Sequence, residues 1–127
     1  MDRVNMFVNG QAMSGGSLND ALAGAEFVGP VTTAARYRFY SVRDEFPGLD
    51  PVDTGGAGVP GELYRVSYAM LRDQLLPREP PELELGIVEL AGGDGSLSMR
   101  MRAGAVDADG VVDITGQGWL EYLQSLT

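Results

Sequence analysis

The chain has 127 residues, enough for one domain with a real core and too few for two ordinary ones. Its net charge of −9, from eighteen acidic residues against nine basic ones, sets any nucleic-acid partner against net repulsion. Histidine, cysteine and lysine are absent, which excludes imidazole bases, thiol nucleophiles, disulfides, Schiff-base lysines and Cys/His zinc sites, and leaves catalysis to carboxylates, hydroxyls, arginines or the backbone.

The first predicted element is a strand over residues 4–8. It breaks into Asn9-Gly10-Gln11-Ala12-Met13-Ser14-Gly15-Gly16 and then into a short helix over 17–22. A strand that passes through glycines into a helix leaves backbone N–H groups pointing into one concavity, where they can hold a carboxylate or a developing oxyanion. The alternative is a loop that only turns the chain. Residues 26–28 and 31–42 read as extended, with a break at Gly29-Pro30. In Arg36-Tyr37-Arg38-Phe39 arginines and aromatics alternate with period two, as in a half-buried strand whose arginines face water. Residues 43–58 are dense in Pro, Gly and Asp and read as a long excursion between strands. Asp44, Glu45, Asp50 and Asp53 lie in it without the spacing of a calcium loop, so a solvated acidic loop is expected and no metal site.

Residues 61–66 resume strand character, and Ser67 is the expected N-cap of a helix over 68–76 that must stop at Pro77. Pro77, Pro80 and Pro81 then hold Glu79 in a stiff turn. Residues 83–90 and 96–102 form a hairpin about a turn at 91–95, with Leu97, Met99 and Met101 on one face as core filler. A short strand over 111–114 leads to a final amphipathic helix over 119–126, in which Trp119, Tyr122, Leu123 and Leu126 share the docking face. No apolar run approaches a transmembrane helix, and the start lacks the basic flank and apolar stretch of a secretory signal, so the cytoplasm is the expected compartment. Few helices and strands that neighbour strands predict an α+β class: a single domain over 1–127 with a curled, mainly antiparallel sheet or small barrel and two or three short helices. The Gly10 to Gly16 loop does not give the dinucleotide-binding G-x-G-x-x-G, and no second parallel unit follows, so a Rossmann site is not expected.

Two segments taken together, Phe7-Val8-Asn9-Gly10-Gln11-Ala12-Met13 and Gly61-Glu62-Leu63-Tyr64 leading through a helix to Glu79, resemble the γ-glutamylcyclotransferase-like superfamily. Within it the chain is similar to the C-terminal domain of allophanate hydrolase and its stand-alone relatives. Phe46-Pro47-Gly48-Leu49, Leu85-Gly86-Ile87-Val88-Glu89-Leu90 and Gly118-Trp119-Leu120-Glu121-Tyr122-Leu123 carry that resemblance. It implies a small enzyme of the acyl-transfer or lyase type, without a cofactor, acting on a γ-glutamyl or carbamoyl amide. Glu79 would be the catalytic acid/base. Asn9, Gly10, Gln11, Ala12 and Met13 would bind substrate, with Tyr40 as a further lining residue, while Glu62 and Tyr64 would be structural. Glu82 and Glu84 stay open as alternatives to Glu79. The second implication is a non-catalytic ligand-binding or assembly module beside an amidase of nitrogen metabolism. A histidine-dependent decarboxylation is not implied, since the chain has no histidine.

Overall fold

The computed structural model describes residues 3–127. Two open sheets carry the fold. The larger has the order β2 (Glu26–Thr32), β5 (Pro60–Ser67), β1 (Arg3–Val8), β7 (Gly95–Met101), β6 (Leu83–Glu89). The smaller has the order β4 (Phe46–Pro51), β3 (Tyr37–Val42), β8 (Val111–Asp113). All pairings are antiparallel except β1 with β7, where Met6 and Phe7 lie beside Leu97 and Ser98. Neither sheet closes, so the barrel form of the expectation is not realised, while the mainly antiparallel α+β architecture is.

β1 is central, and its end is buried on both faces: Met6, Phe7 and Val8 are all inside. This strand delivers the 9–16 loop from the middle of the larger sheet. On β3 the period-two pattern places Tyr37 and Phe39 inside, with Arg38 half-exposed and bridged to Asp113 on β8. Leu49, Val59, Ile114 and Trp119 complete the main core. The α2 helix (Trp119–Ser125) docks through Trp119, fully buried and stacked on Tyr122 with ring centroids 5.8 Å apart, while Leu126, expected on the same face, lies past the helix end and is half exposed.

Further expectations are corrected. The extended run does not break at Gly29-Pro30: β2 passes through both with a bulge beside Gly29, and the break falls at 33–36 instead. Residues 43–58 are not one excursion, because 46–51 form β4, paired with β3 from Val42↔Phe46 to Tyr37↔Pro51. Its two prolines are tolerated because β4 is an edge strand. A Cβ on Gly48 would collide with Met101 and Leu83, which is why a glycine sits mid-strand. The 17–22 helix shrinks to a 3-10 turn, Asn19–Leu22. The helix over 68–76 begins as expected, with the Ser67 hydroxyl accepting from the Met70 N–H at 3.1 Å, but only Tyr68–Met70 (α1) is α-helical. It widens to a π-turn over Leu71–Leu75 and tightens to a 3-10 turn over Leu76–Arg78, which runs through Pro77. Pro77 is accommodated near the start of that last turn, where its missing N–H costs nothing. Among the described residues no helix is long and apolar enough to cross a membrane.

Candidate active site

The 9–16 loop is held by side chains from β5 and from the turn that follows it. The Glu62 carboxylate accepts from the Ser14 N–H at 2.7 Å and lies 3.2 Å from both the Ser14 and Tyr64 hydroxyls. Asn19 Nδ2 donates to the Ala12 carbonyl at 2.8 Å and to the Tyr64 hydroxyl at 3.1 Å. The Leu18 N–H returns to the Gln11 carbonyl at 2.9 Å, and a Cβ on Gly16 would strike that same carbonyl. Pro47 of β4 packs so closely on Gly10 that any side chain there would displace it. Glu62→Ala, which hands the exposed Ser14 N–H to water, is expected to destabilise the fold by about 0.5–1.5 kcal/mol, read from denaturant melts.

With its backbone fixed, the loop presents donors. Met13 N–H donates to the Gly10 carbonyl at 3.0 Å, while the N–H groups of Gly10, Gln11 and Ala12 make no hydrogen bond among the described residues. Gly10, Gln11 and Ala12 border a cavity of about 320 Å³, lined also by Asn9, Phe46, Pro47, Ser98 and Glu79. Asn9 is buried, and its Nδ2 has no partner among the described residues.

Glu79 enters from the opposite side. The 3-10 turn ends at it, with its N–H donating to the Leu76 carbonyl at 3.2 Å and its backbone turning to the extended region (φ −78°, ψ 144°). Arg78 pins this turn to the 3-10 turn that follows the loop, through Asp20 at 2.7 Å. Among the described residues no cation or hydrogen bond compensates the Glu79 carboxyl, and burial pushes its pKa up to about 7. Its neighbours behave differently. Glu82 is paired with Arg43 at 2.7 Å, which holds it below the usual carboxylate range, and Glu84 lies between Arg100 and Arg102. Neither lines the cavity.

Of the residues singled out in the sequence, Asn9, Gly10, Gln11, Ala12 and Glu79 come together around this cavity. Two do not. Met13 is buried in the main core and its N–H is consumed by the turn. Tyr40 sits on β3 opposite Gly48 and Asp113, packed on the small cluster of Val42, Leu83 and Met101. Sequence reasoning missed Arg43, Phe46 and Pro47, because their segment looked like an irregular loop. Only the resemblance of Phe46-Pro47-Gly48-Leu49 to a family segment marked it. Ser98 carried no signal, being one serine in a hairpin strand. Among the described residues no three acidic side chains converge as metal ligands would.

The two open sheets, with the loop after β1 and the broken helix after β5, have a γ-glutamylcyclotransferase-like fold. An aig2-like protein from Mus musculus shares it at 20% identity and a TM-score of 0.62, over 83% of this chain and 80% of that one. More specifically, the chain belongs to the allophanate hydrolase C-terminal domain family, whose pattern matches residues 4–124. A uropathogenic E. coli-specific protein is 33% identical, with a TM-score of 0.89 over 98% of both chains. Kluyveromyces lactis allophanate hydrolase is 27% identical with a TM-score of 0.92. The match takes in all of this chain but only 22% of that enzyme. None of the curated protein sequences compared matches the chain.

Proposed function

We propose that the chain is a small enzyme acting on a γ-glutamyl or carbamoyl amide, with Glu79 as general acid/base and the Gly10, Gln11 and Ala12 N–H groups holding the substrate's oxygens. One observation carries this reading: a carboxyl that burial pushes up to about 7 lines the same cavity as Gly10, Gln11 and Ala12, whose N–H groups make no hydrogen bond among the described residues. A base poised near the working pH is what proton transfer needs. For a γ-glutamyl substrate, the α-amine attacks the γ-carbonyl and its proton passes to Glu79. The oxyanion forms on the loop amides, and Glu79 returns the proton to the departing amine as the C–N bond breaks, giving 5-oxoproline. Attacker and target belong to one molecule, so positioning supplies much of the rate and no further group is required. The unsatisfied Asn9 amide beside the cavity fits a site that a ligand or ordered water completes. The chain would act in the cytoplasm, in nitrogen metabolism. The test is turnover of γ-glutamyl amines and small carbamoyl amides by the wild type and by Glu79→Gln with its fold intact; full activity in the variant sinks the reading.

A second reading is a non-catalytic module that partners an amidase. It is favoured by the place of the same domain within allophanate hydrolase, where it spans 22% of the chain. Co-purification of an amidase with a catalytically silent chain would decide for it.

A further inference from the structure

Arg43 stands at the tip of the β3–β4 hairpin and lines the same cavity as Glu79. Its backbone is left-handed (φ 53°), as is that of Asp44 (φ 58°), a pair of conformations that hairpin turns usually assign to Asn-Gly or Gly-Gly. The turn is fixed from several directions. The Arg43 N–H donates to the Gly110 carbonyl at 2.8 Å, and the Glu45 N–H closes on the Val42 carbonyl at 2.9 Å. Asp44 Oδ1 accepts from the Ser41 hydroxyl and from the Tyr122 hydroxyl of α2. A strained turn that keeps an arginine where glycine would relax it, and is held this firmly, aims that side chain.

The guanidinium lies 5.7 Å over the Phe46 ring. Its Nε meets Glu45 at 3.0 Å and its Nη1 meets Glu82 at 2.7 Å. Of its five N–H groups these contacts engage two, and Nη2 has no partner among the described residues. The Glu45 side chain is 63% exposed, so that pair yields readily to a competing anion. Arg78, the other cation at the cavity, has both terminal nitrogens engaged, by Asp20 and by the Ser17 carbonyl.

The geometry points to Arg43 as the specificity-determining residue of the cavity: it reads a carboxylate on the ligand, whose amide oxygen lies on the Gly10–Ala12 amides. The ligand class is a small carboxylate-bearing amide, in keeping with a volume at the lower end for ligand cavities. Tyr122 is a positioning residue that acts through Asp44. The inference rests on the cavity being an amide site, as proposed above, but its test reads binding rather than turnover.

Titration with glutaramate and with its neutral counterpart glutaramide separates the two. The wild type is expected to bind glutaramate at least about tenfold more tightly. Arg43→Met and Arg43→Gly should lose that preference, the glycine variant being the one whose turn is relaxed. Tyr122→Phe should reduce the preference while leaving glutaramide affinity unchanged, which a general loss of structure would not do. Equal affinities in the wild type, no binding of either compound, or a preference retained in both Arg43 variants would overturn the assignment. Glu79→Gln should still prefer glutaramate. If that variant instead kept full turnover, the acid/base reading would fail while the Arg43 result stood on its own.

Discussion

Glu79→Gln is expected to lower kcat/KM by about 10²–10⁴-fold, the usual worth of a positioned acid/base, and at the same time to make the protein more stable at alkaline pH. Both effects come from one cause, the burial that pushes the carboxyl up to about 7. In the unfolded chain this group titrates at the ordinary 4.5. Between these values the folded protein binds more protons than the unfolded one, so stability falls as pH rises. The contribution of Glu79 is fully present below about pH 4.5 and is lost as pH passes through about 7. The shift corresponds to about 2–3 kcal/mol between pH 5 and pH 8. A glutamine at this position cannot ionise and escapes the loss. Thermal melts should place the two proteins within a few degrees at about pH 5, and the variant roughly 7–12 °C higher at about pH 8. An equal pH dependence in both would show that Glu79 is not the buried titrating group. The trade of stability for a group poised to react is the pattern expected of a functional site.

Trp119→Ala should have the largest effect on stability, about 3–5 kcal/mol by urea denaturation. Trp119 is fully buried, belongs to the same core as Met6, Phe7 and Leu49, and is the only buried residue of α2. Removing it leaves a large cavity and frees the helix. The effect should reach the site as well, because α2 carries Tyr122, whose hydroxyl holds Asp44. Trp119→Phe is expected to cost much less. The indole Nε1 is buried without a hydrogen-bond partner among the described residues, so the ring's volume rather than its N–H stabilises the fold.

β1, β3, the β6–β7 hairpin and the buried face of α2 were legible in the sequence, because each rests on a periodicity carried by neighbouring residues: two for strands, near 3.6 for the helix. So was the donor loop, since glycines after a strand free the backbone to turn there. β4 was not legible. Phe46-Pro47-Gly48-Leu49-Asp50-Pro51 has the composition of a loop, and only pairing with β3 and the packing of Met101 over Gly48 make it a strand. The helix over 68–76 was placed but not its widening at Leu71–Leu75, and that irregularity helps decide where Glu79 emerges.

Composition and local pattern in the sequence by themselves determined the mixed fold and a chemistry restricted to carboxylates, hydroxyls, arginines and backbone donors, and the resemblance of its segments to a known family pointed to that family. Only the tertiary structure decided that Glu79 rather than Glu82 lines the cavity, that its proton is held to near neutrality, and that Arg43 shares the cavity with it. Those properties depend on desolvation and ion pairing by groups drawn from Asn9 to Ser98. A residue's own neighbours in the chain do not reveal them.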